Sequence, residues 1–387
     1  MNFFDNSIGQ SVMDGTYKGM VNGMNYFEEA MNTISGDINI DIATTPFETV
    51  YTEDRIRLNY YKPPAAKKKG AVKTPVLIVY ALINRETMLD IQPDKSVIRN
   101  FLAQGIDLYV LEWGYPSRKD RFLTLDDHIN GYINNVVDFI LSSNKITTLN
   151  LMGICMGGTM CAIYSSFYPE KVKNLITTVT PTSFDHDQGL LHLWMKNTDV
   201  DMLVDTWGNM PGDMMNMGFL MLNPAKLMIG KYNDFLGHLD DRTFVENFIR
   251  MEKWIFDSPD VPGETFRQFV NDCYRKDLFI KGEMAVGGKR VDLRKIAMPL
   301  LNIYARYDHL VPPASCDKFT SACGSSDVQD VCLDTGHIGI YVSSKCQQQF
   351  VPQISDWLKQ RDDVKAKPAA PVKKATGKSQ VREAASC

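Results

Sequence analysis

No stretch of this chain approaches the roughly 20 consecutive apolar residues that a bilayer-spanning helix needs. The opening MNFFDNSIGQ has neither a basic segment nor an apolar one after it. A cytoplasmic protein without a membrane span is therefore expected. A basic excess is lacking too, with 42 Lys+Arg against 46 Asp+Glu and a formal net charge of −4. Domains that neutralise phosphates carry a marked surplus of cations, so nucleic acid is disfavoured as a partner. The eight cysteines, at 155, 161, 273, 316, 323, 332, 346 and 387, include no CxxC pair and no zinc-like Cys/His spacing. No metal is expected, and the thiols read as mostly buried and reduced, with one exception.

What is there is an ordinary globular composition, 44% hydrophobic and 23% charged, which sets aside collagen-like, disordered and disulfide-scaffold classes. A length of 387 residues suits two domains or one α/β domain with an insertion. Short β-rich runs at 75–80, 107–113, 147–152, 175–180, 299–304 and 328–333 alternate with helical stretches, the pattern of a parallel sheet covered on both faces. From 181 to 292 the strand rhythm stops and segments rich in Met, Phe and Trp take over. The class is thus α/β. The expected organisation is an N-terminal helical segment (1–44), a core (45–180), a helical cap (181–292), the rest of the core (293–363) and a disordered tail (364–387). Residues 10–34 have helical apolar spacing, and such a helix packs on its own domain more often than it docks elsewhere. The tail holds six Lys or Arg against one Glu and few large apolar residues.

The chemistry centres on Gly153-Ile154-Cys155-Met156-Gly157-Gly158, which follows the apolar run Leu149-Asn150-Leu151-Met152. A nucleophile held on a sharp strand-to-helix turn needs small residues two positions to either side, where larger side chains would collide. A helix beginning just after Cys155 also favours its thiolate. In α/β-hydrolases the nucleophile, acid and histidine follow in that chain order, the latter two after late strands. Asp308 and His337 occupy those places. His309 adjoins Asp308 and is expected to support that loop, but it precedes the last strand and is a poorer base. His128, His186, His192 and His238 lack a strand-end context and read as surface or satisfied core residues. Cys161, six residues into the helix, reads as core. Backbone N–H groups for an oxyanion are expected from Met156 and, in the loop Ala81-Leu82-Ile83-Asn84, from Ile83.

A thiolate nucleophile forms a thioester that stays activated, so acyl transfer is favoured over hydrolysis. His337 is expected to deprotonate Cys155 and later an incoming hydroxyl. Asp308 is left with two roles, orienting His337 or helping to activate the hydroxyl.

From about 45 to 358 the chain resembles the class III polyhydroxyalkanoate synthases, α/β-hydrolase-fold acyltransferases in which a catalytic subunit works with an E-type second subunit. The resemblance rests on Gly153–Gly158, on Tyr304-Ala305-Arg306-Tyr307-Asp308-His309-Leu310-Val311-Pro312 and on Gly336-His337-Ile338-Gly339. It extends to the 82–90 segment, Glu112-Trp113-Gly114 and Asn209-Met210-Pro211-Gly212-Asp213. It implies Cys155, Asp308 and His337 as catalytic residues, and (R)-3-hydroxyacyl-CoA, 3-hydroxybutyryl-CoA above all, as the substrate that lengthens a polyester chain. CoA would be the leaving group, with no cofactor. It also implies a homodimer at the surface of polyester granules and a cap that opens for substrate. The basic tail departs from the family pattern. A Cys-dependent thioesterase or polyester depolymerase of the same fold is the alternative. A non-catalytic granule scaffold is a third reading, against which the intact elbow argues, since a scaffold has no need of strain there.

Overall fold

The computed structural model describes residues 40–67, 71–186 and 188–362; the expected N-terminal helix at 10–34 and the basic tail lie outside them. Eight strands form one sheet: β1 (Glu48–Glu53), β2 (Ile56–Tyr61), β3 (Val76–Val79), β4 (Leu108–Glu112), β5 (Leu149–Ile154), β6 (Val172–Thr178), β7 (Leu300–Ala305) and β8 (Val328–Leu333). Their order across the sheet is β1-β2-β4-β3-β5-β6-β7-β8. β2 runs antiparallel to both its neighbours, and the strands from β4 through to β8 pair in parallel. The central strands are the apolar runs of the sequence: every residue of β3 and β5 is buried, as strands covered on both faces must be. Burying each Val, Leu or Ile there contributes about 1.5–3 kcal/mol.

The sheet begins earlier than the sequence reading placed it. β1 (ETVYTE) and β2 (IRLNYY) form a hairpin at the edge, with β1 largely exposed. An edge strand with polar residues on a wet face carries no continuous apolar run, so the pattern that marked the central strands could not mark these.

Helices α1 (Val97–Ala103), α2 (Asn134–Asn144) and α3 (Met156–Phe167) belong to the strand-helix alternation. Between β6 and β7 the chain leaves the sheet and runs through α4 (Leu190–Asn197), α5 (Val200–Trp207), α6 (Gly212–Met221), α7 (Arg242–Phe256) and α8 (Gly263–Phe269). Asp199 and Asp241 cap α5 and α7 by accepting from the N–H groups of Met202 and Phe244. α8 widens into a π-turn at Val270–Arg275. The last described helix, α9 (Phe350–Asp362), packs against α1, and the Asp362 carboxylate accepts from Lys73 N and Thr74 Oγ1 beside the start of β3. Among the described residues no helix is long and apolar enough to cross a membrane.

Candidate active site

Cys155 stands between β5 and α3 with φ 52° and ψ −126°, in the left-handed half of backbone space where a side chain is strained. The fold holds it there by close approach on both sides. A Cβ on Gly153 would stand 2.4 Å from Gly158 Cα, and one on Gly157 would stand 2.3 Å from the Val79 carbonyl oxygen. The Cys155 N–H donates to Thr178 O at 2.9 Å, tying the turn to the end of β6. The turn thus aims one half-buried thiol out of a fully buried scaffold.

Asp308 and His337 arrive from the ends of β7 and β8. Their loops are stitched together by Arg306 N–H to Leu333 O and Tyr307 N–H to Thr335 O, both 2.9 Å. His337 Nδ1 lies 2.7 Å from Asp308 Oδ2, while Asp308 Oδ1 accepts from the backbone N–H groups of Leu310 (2.9 Å) and Val311 (2.8 Å). The Asp308 carboxylate is therefore fixed from both sides. Tyr341 anchors the histidine loop from below, its hydroxyl 2.8 Å from Thr178 Oγ1.

Burial alone would lower the pKa of His337. The Asp308 charge and hydrogen bond, together with the influence of the Cys155 side chain, outweigh burial and raise it to about 10. His337 is thus bonded to Asp308 and borders one cavity together with Cys155. The backbone N–H of Met156 opens α3 and that of Ile83 lies in the loop after β3. Neither has an acceptor among the described residues, and both residues border the same cavity as Cys155.

That cavity, about 170 Å³, is bordered by Cys155 and His337, with walls that include Trp194, Met210, Met214, Met215, Trp254 and Phe269 of the insertion. A second cavity of about 520 Å³ adjoins it, the two sharing Phe219, Trp254 and His337 as wall residues. His309 borders this second cavity and makes no hydrogen bond to Asp308; burial lowers its pKa against the pull of the Asp308 charge.

The other histidines lie away from the thiol. His128 is fully buried, bonded to Thr124 O and near Thr265 Oγ1, and burial pulls its pKa down to about 4. His186 Nε2 meets Ser315 Oγ at 2.7 Å, with its ring beside that of His192, and His238 is exposed next to Asp234. Cys161 is buried in α3.

One part of the site had no signal in the sequence. The loop after β3 is bound to the insertion: Asn84, at φ 57°, donates to Asn216 Oδ1 (3.3 Å) and bonds Ser258 Oγ. The Trp254 indole N–H donates to Arg85 O at 2.8 Å, and Arg85 pairs with Asp257 at 3.0 Å. These partners stand more than a hundred residues apart in the chain, with no local pattern to join them.

Two family models match the chain: one described as the alpha/beta hydrolase fold over residues 74–343, and one described as the poly-beta-hydroxybutyrate polymerase (PhaC) N-terminus over residues 5–101. The chain is 47% identical over 330 residues to a protein of Thiocystis violacea named poly(3-hydroxyalkanoate) polymerase subunit PhaC, covering 85% of this chain and 92% of that one. The protein of the same name from Allochromatium vinosum is also 47% identical, over 83% of this chain and 90% of that one. The one from Synechocystis sp. is 44% identical over 84% and 86%. Among solved structures, a soluble variant of monoglyceride lipase from Saccharomyces cerevisiae superposes with a TM-score of 0.52 at 13% identity, covering 84% of this chain and 98% of that chain. A hydrolase from Pseudomonas aeruginosa gives 0.51 at 15% identity, covering 81% and 99%. At such identities the structural likeness bears on the fold alone.

Proposed function

The chain belongs to the PhaC family of poly(3-hydroxyalkanoate) polymerases, on the α/β-hydrolase fold, and from that membership we propose that it polymerises (R)-3-hydroxyacyl-CoA, 3-hydroxybutyryl-CoA foremost, through an acyl thioester on Cys155. The observation that supports this most is the Cys155–His337–Asp308 grouping beside two acceptorless backbone N–H groups in an apolar cavity.

At the outset His337 already holds the proton of the Cys155–His337 pair, and in the first step the Cys155 sulfur bonds the thioester carbonyl carbon of the substrate. The carbonyl oxygen becomes an oxyanion, received by the N–H groups of Met156 and Ile83. The bond from that carbon to the CoA sulfur then breaks, and CoA leaves with the proton held by His337. In the second step the 3-hydroxyl of another hydroxyacyl-CoA loses its proton to His337 and attacks the acyl carbon on Cys155. An ester forms and the cysteine sulfur leaves, recovering a proton. The lengthened acyl-CoA can then reload the cysteine with release of CoA. A raised His337 pKa suits this role, because the proton taken from the thiol is held firmly until a leaving group needs it. Asp308 orients the ring and sustains its charge. The insertion, whose Met and Trp side chains form much of the wall, acts as an adaptable cover that excludes water from the thioester.

The proposal includes a homodimer, an E-type second subunit and a place in the cytoplasm at the surface of polyester granules. Its test is CoA release from (R)-3-hydroxybutyryl-CoA by wild type and Cys155→Ala, with and without an E-type subunit, with polymer and free acid assayed together. Polymer formed with CoA release that depends on Cys155 is the expected result. Free 3-hydroxybutyrate equal to all the CoA released would replace the polymerase reading with a thioesterase one.

A further inference from the structure

The cavity beside Cys155 is apolar on nearly every side, yet the proposed acyl group carries an oxygen at its third carbon. Buried among Met, Trp and Phe side chains without a partner, that oxygen would oppose binding. Few polar groups of the wall remain for it. The Asn84 amide bonds Asn216 and Ser258, and Cys155, His337 and Asp308 are engaged with one another. Tyr80 also borders the cavity and interacts with Cys155 as well as Tyr341, but it is a buried residue at the end of β3 rather than part of the insertion that forms most of the wall.

Tyr274 is different. It sits in the π-turn that continues α8, a local widening of the helix often associated with functional sites. Its ring is held by Phe184 (centroids 4.6 Å apart), Phe269 (6.0 Å) and His192 (6.4 Å). It borders the cavity, and its hydroxyl interacts electrostatically with both Cys155 and Asp308. That hydroxyl makes no hydrogen bond among the described residues. A ring packed on three sides thus carries an unused donor at the wall of the cavity that Cys155 also borders.

We infer that Tyr274 is a specificity residue whose hydroxyl donates a hydrogen bond to the 3-oxygen of the acyl group on Cys155. That oxygen is a hydroxyl in the first unit loaded and an ester oxygen once the chain has grown, and a phenol O–H serves both because each has a lone pair to accept. Burial, with Cys155 nearby, pushes the Tyr274 pKa up, so the donor keeps its proton throughout the working range. The inference rests on the acyl-transfer reading of Cys155.

The test is single-turnover CoA release by full-length protein from (R)-3-hydroxybutyryl-CoA and from butyryl-CoA, which lacks the 3-oxygen. Wild type is expected to acylate faster from the hydroxylated substrate, and Tyr274→Phe to lower that preference about tenfold, the worth of one buried neutral hydrogen bond. A wild type that handles both substrates alike overturns the inference without any variant. So does an equal loss on both substrates in Tyr274→Phe, which marks a packing defect, or an unchanged preference. Absence of CoA release from both substrates in wild type is a distinct failure, that of the reading of Cys155 itself.

Discussion

Asp308 and His337, 29 positions apart in the chain, meet through Oδ2 and Nδ1 at 2.7 Å although they leave the sheet from different strands. The charge on Asp308 is what keeps the His337 proton in place against burial.

Asp308→Asn removes that charge while keeping the side chain's size. In wild type the imidazolium persists until pH rises through about 10. In the variant only Cys155 still opposes burial, and His337 loses its proton at a lower pH. Turnover is expected to fall by about 10³–10⁴. Alkylation of Cys155 by iodoacetamide followed across pH, with NMR titration of His337, checks the shift; an unmoved titration would sink the assignment.

Glu86, beside Arg85, is half-buried, and desolvation with help from Glu112 raises its pKa from 4.5 to about 7 even against the Arg85 charge. A carboxyl group shifted upward stabilises the fold fully below its unfolded pKa, and that contribution is lost as pH rises through the folded one. Stability should therefore drop between about pH 4.5 and 7, by up to about 3 kcal/mol at ~1.36 kcal/mol per pKa unit. Glu86→Gln removes the drop. Its melting temperature should exceed that of wild type at pH 8 and match it near pH 4.5, and a gain confined to the acid side would contradict the argument.

Gly157→Ala places a methyl group 2.3 Å from the Val79 carbonyl oxygen and 2.6 Å from that of Tyr80. Both obstacles are backbone in the buried centre of the sheet, so α3 must move instead. A loss of about 3 kcal/mol or more is expected in urea unfolding, together with loss of Cys155 reactivity in whatever protein still folds. A mild, fully active variant would mean that the turn has slack that the packing does not suggest.

Asn84→Gly preserves the left-handed backbone at that position and deletes the bonds to Asn216 and Ser258. The loop carrying the Ile83 N–H then loses part of its tie to the insertion, and turnover should fall roughly 10- to 100-fold, less than for outright removal of an oxyanion donor. Iodoacetamide alkylation of Cys155, which builds no oxyanion, should fall far less. Equal losses in both assays would place the defect elsewhere.

The parts of this arrangement that could be read in the sequence are those encoded locally. The six strands β3–β8 announce themselves as short β-rich runs, and the elbow does so as glycines two residues on either side of Cys155. Asp308 and His337 follow from their position after late strands. The hairpin β1–β2 escaped because β1 is largely exposed and both strands mix polar with apolar residues, leaving no continuous apolar run. Asn84, Trp254 and Tyr274 escaped for another reason: each matters through a neighbour supplied by a distant segment, and nothing in an Asn, Trp or Tyr on its own says which neighbour that is. The widened turn at 270–275 is equally silent, since a helix that gains one residue in a turn keeps nearly the same apolar spacing.

The insertion between β6 and β7 also bears on how the protein comes to be active. Leu300 must find Leu175 as its strand neighbour after the whole excursion through α4–α8 has been made, and only then can Asp308 and His337 be delivered to the thiol. Pairing over such separations closes slowly. A newly synthesised chain therefore holds an inert cysteine until its last third has been made and folded, and in refolding the return of Cys155 reactivity should coincide with the slowest phase rather than with early collapse.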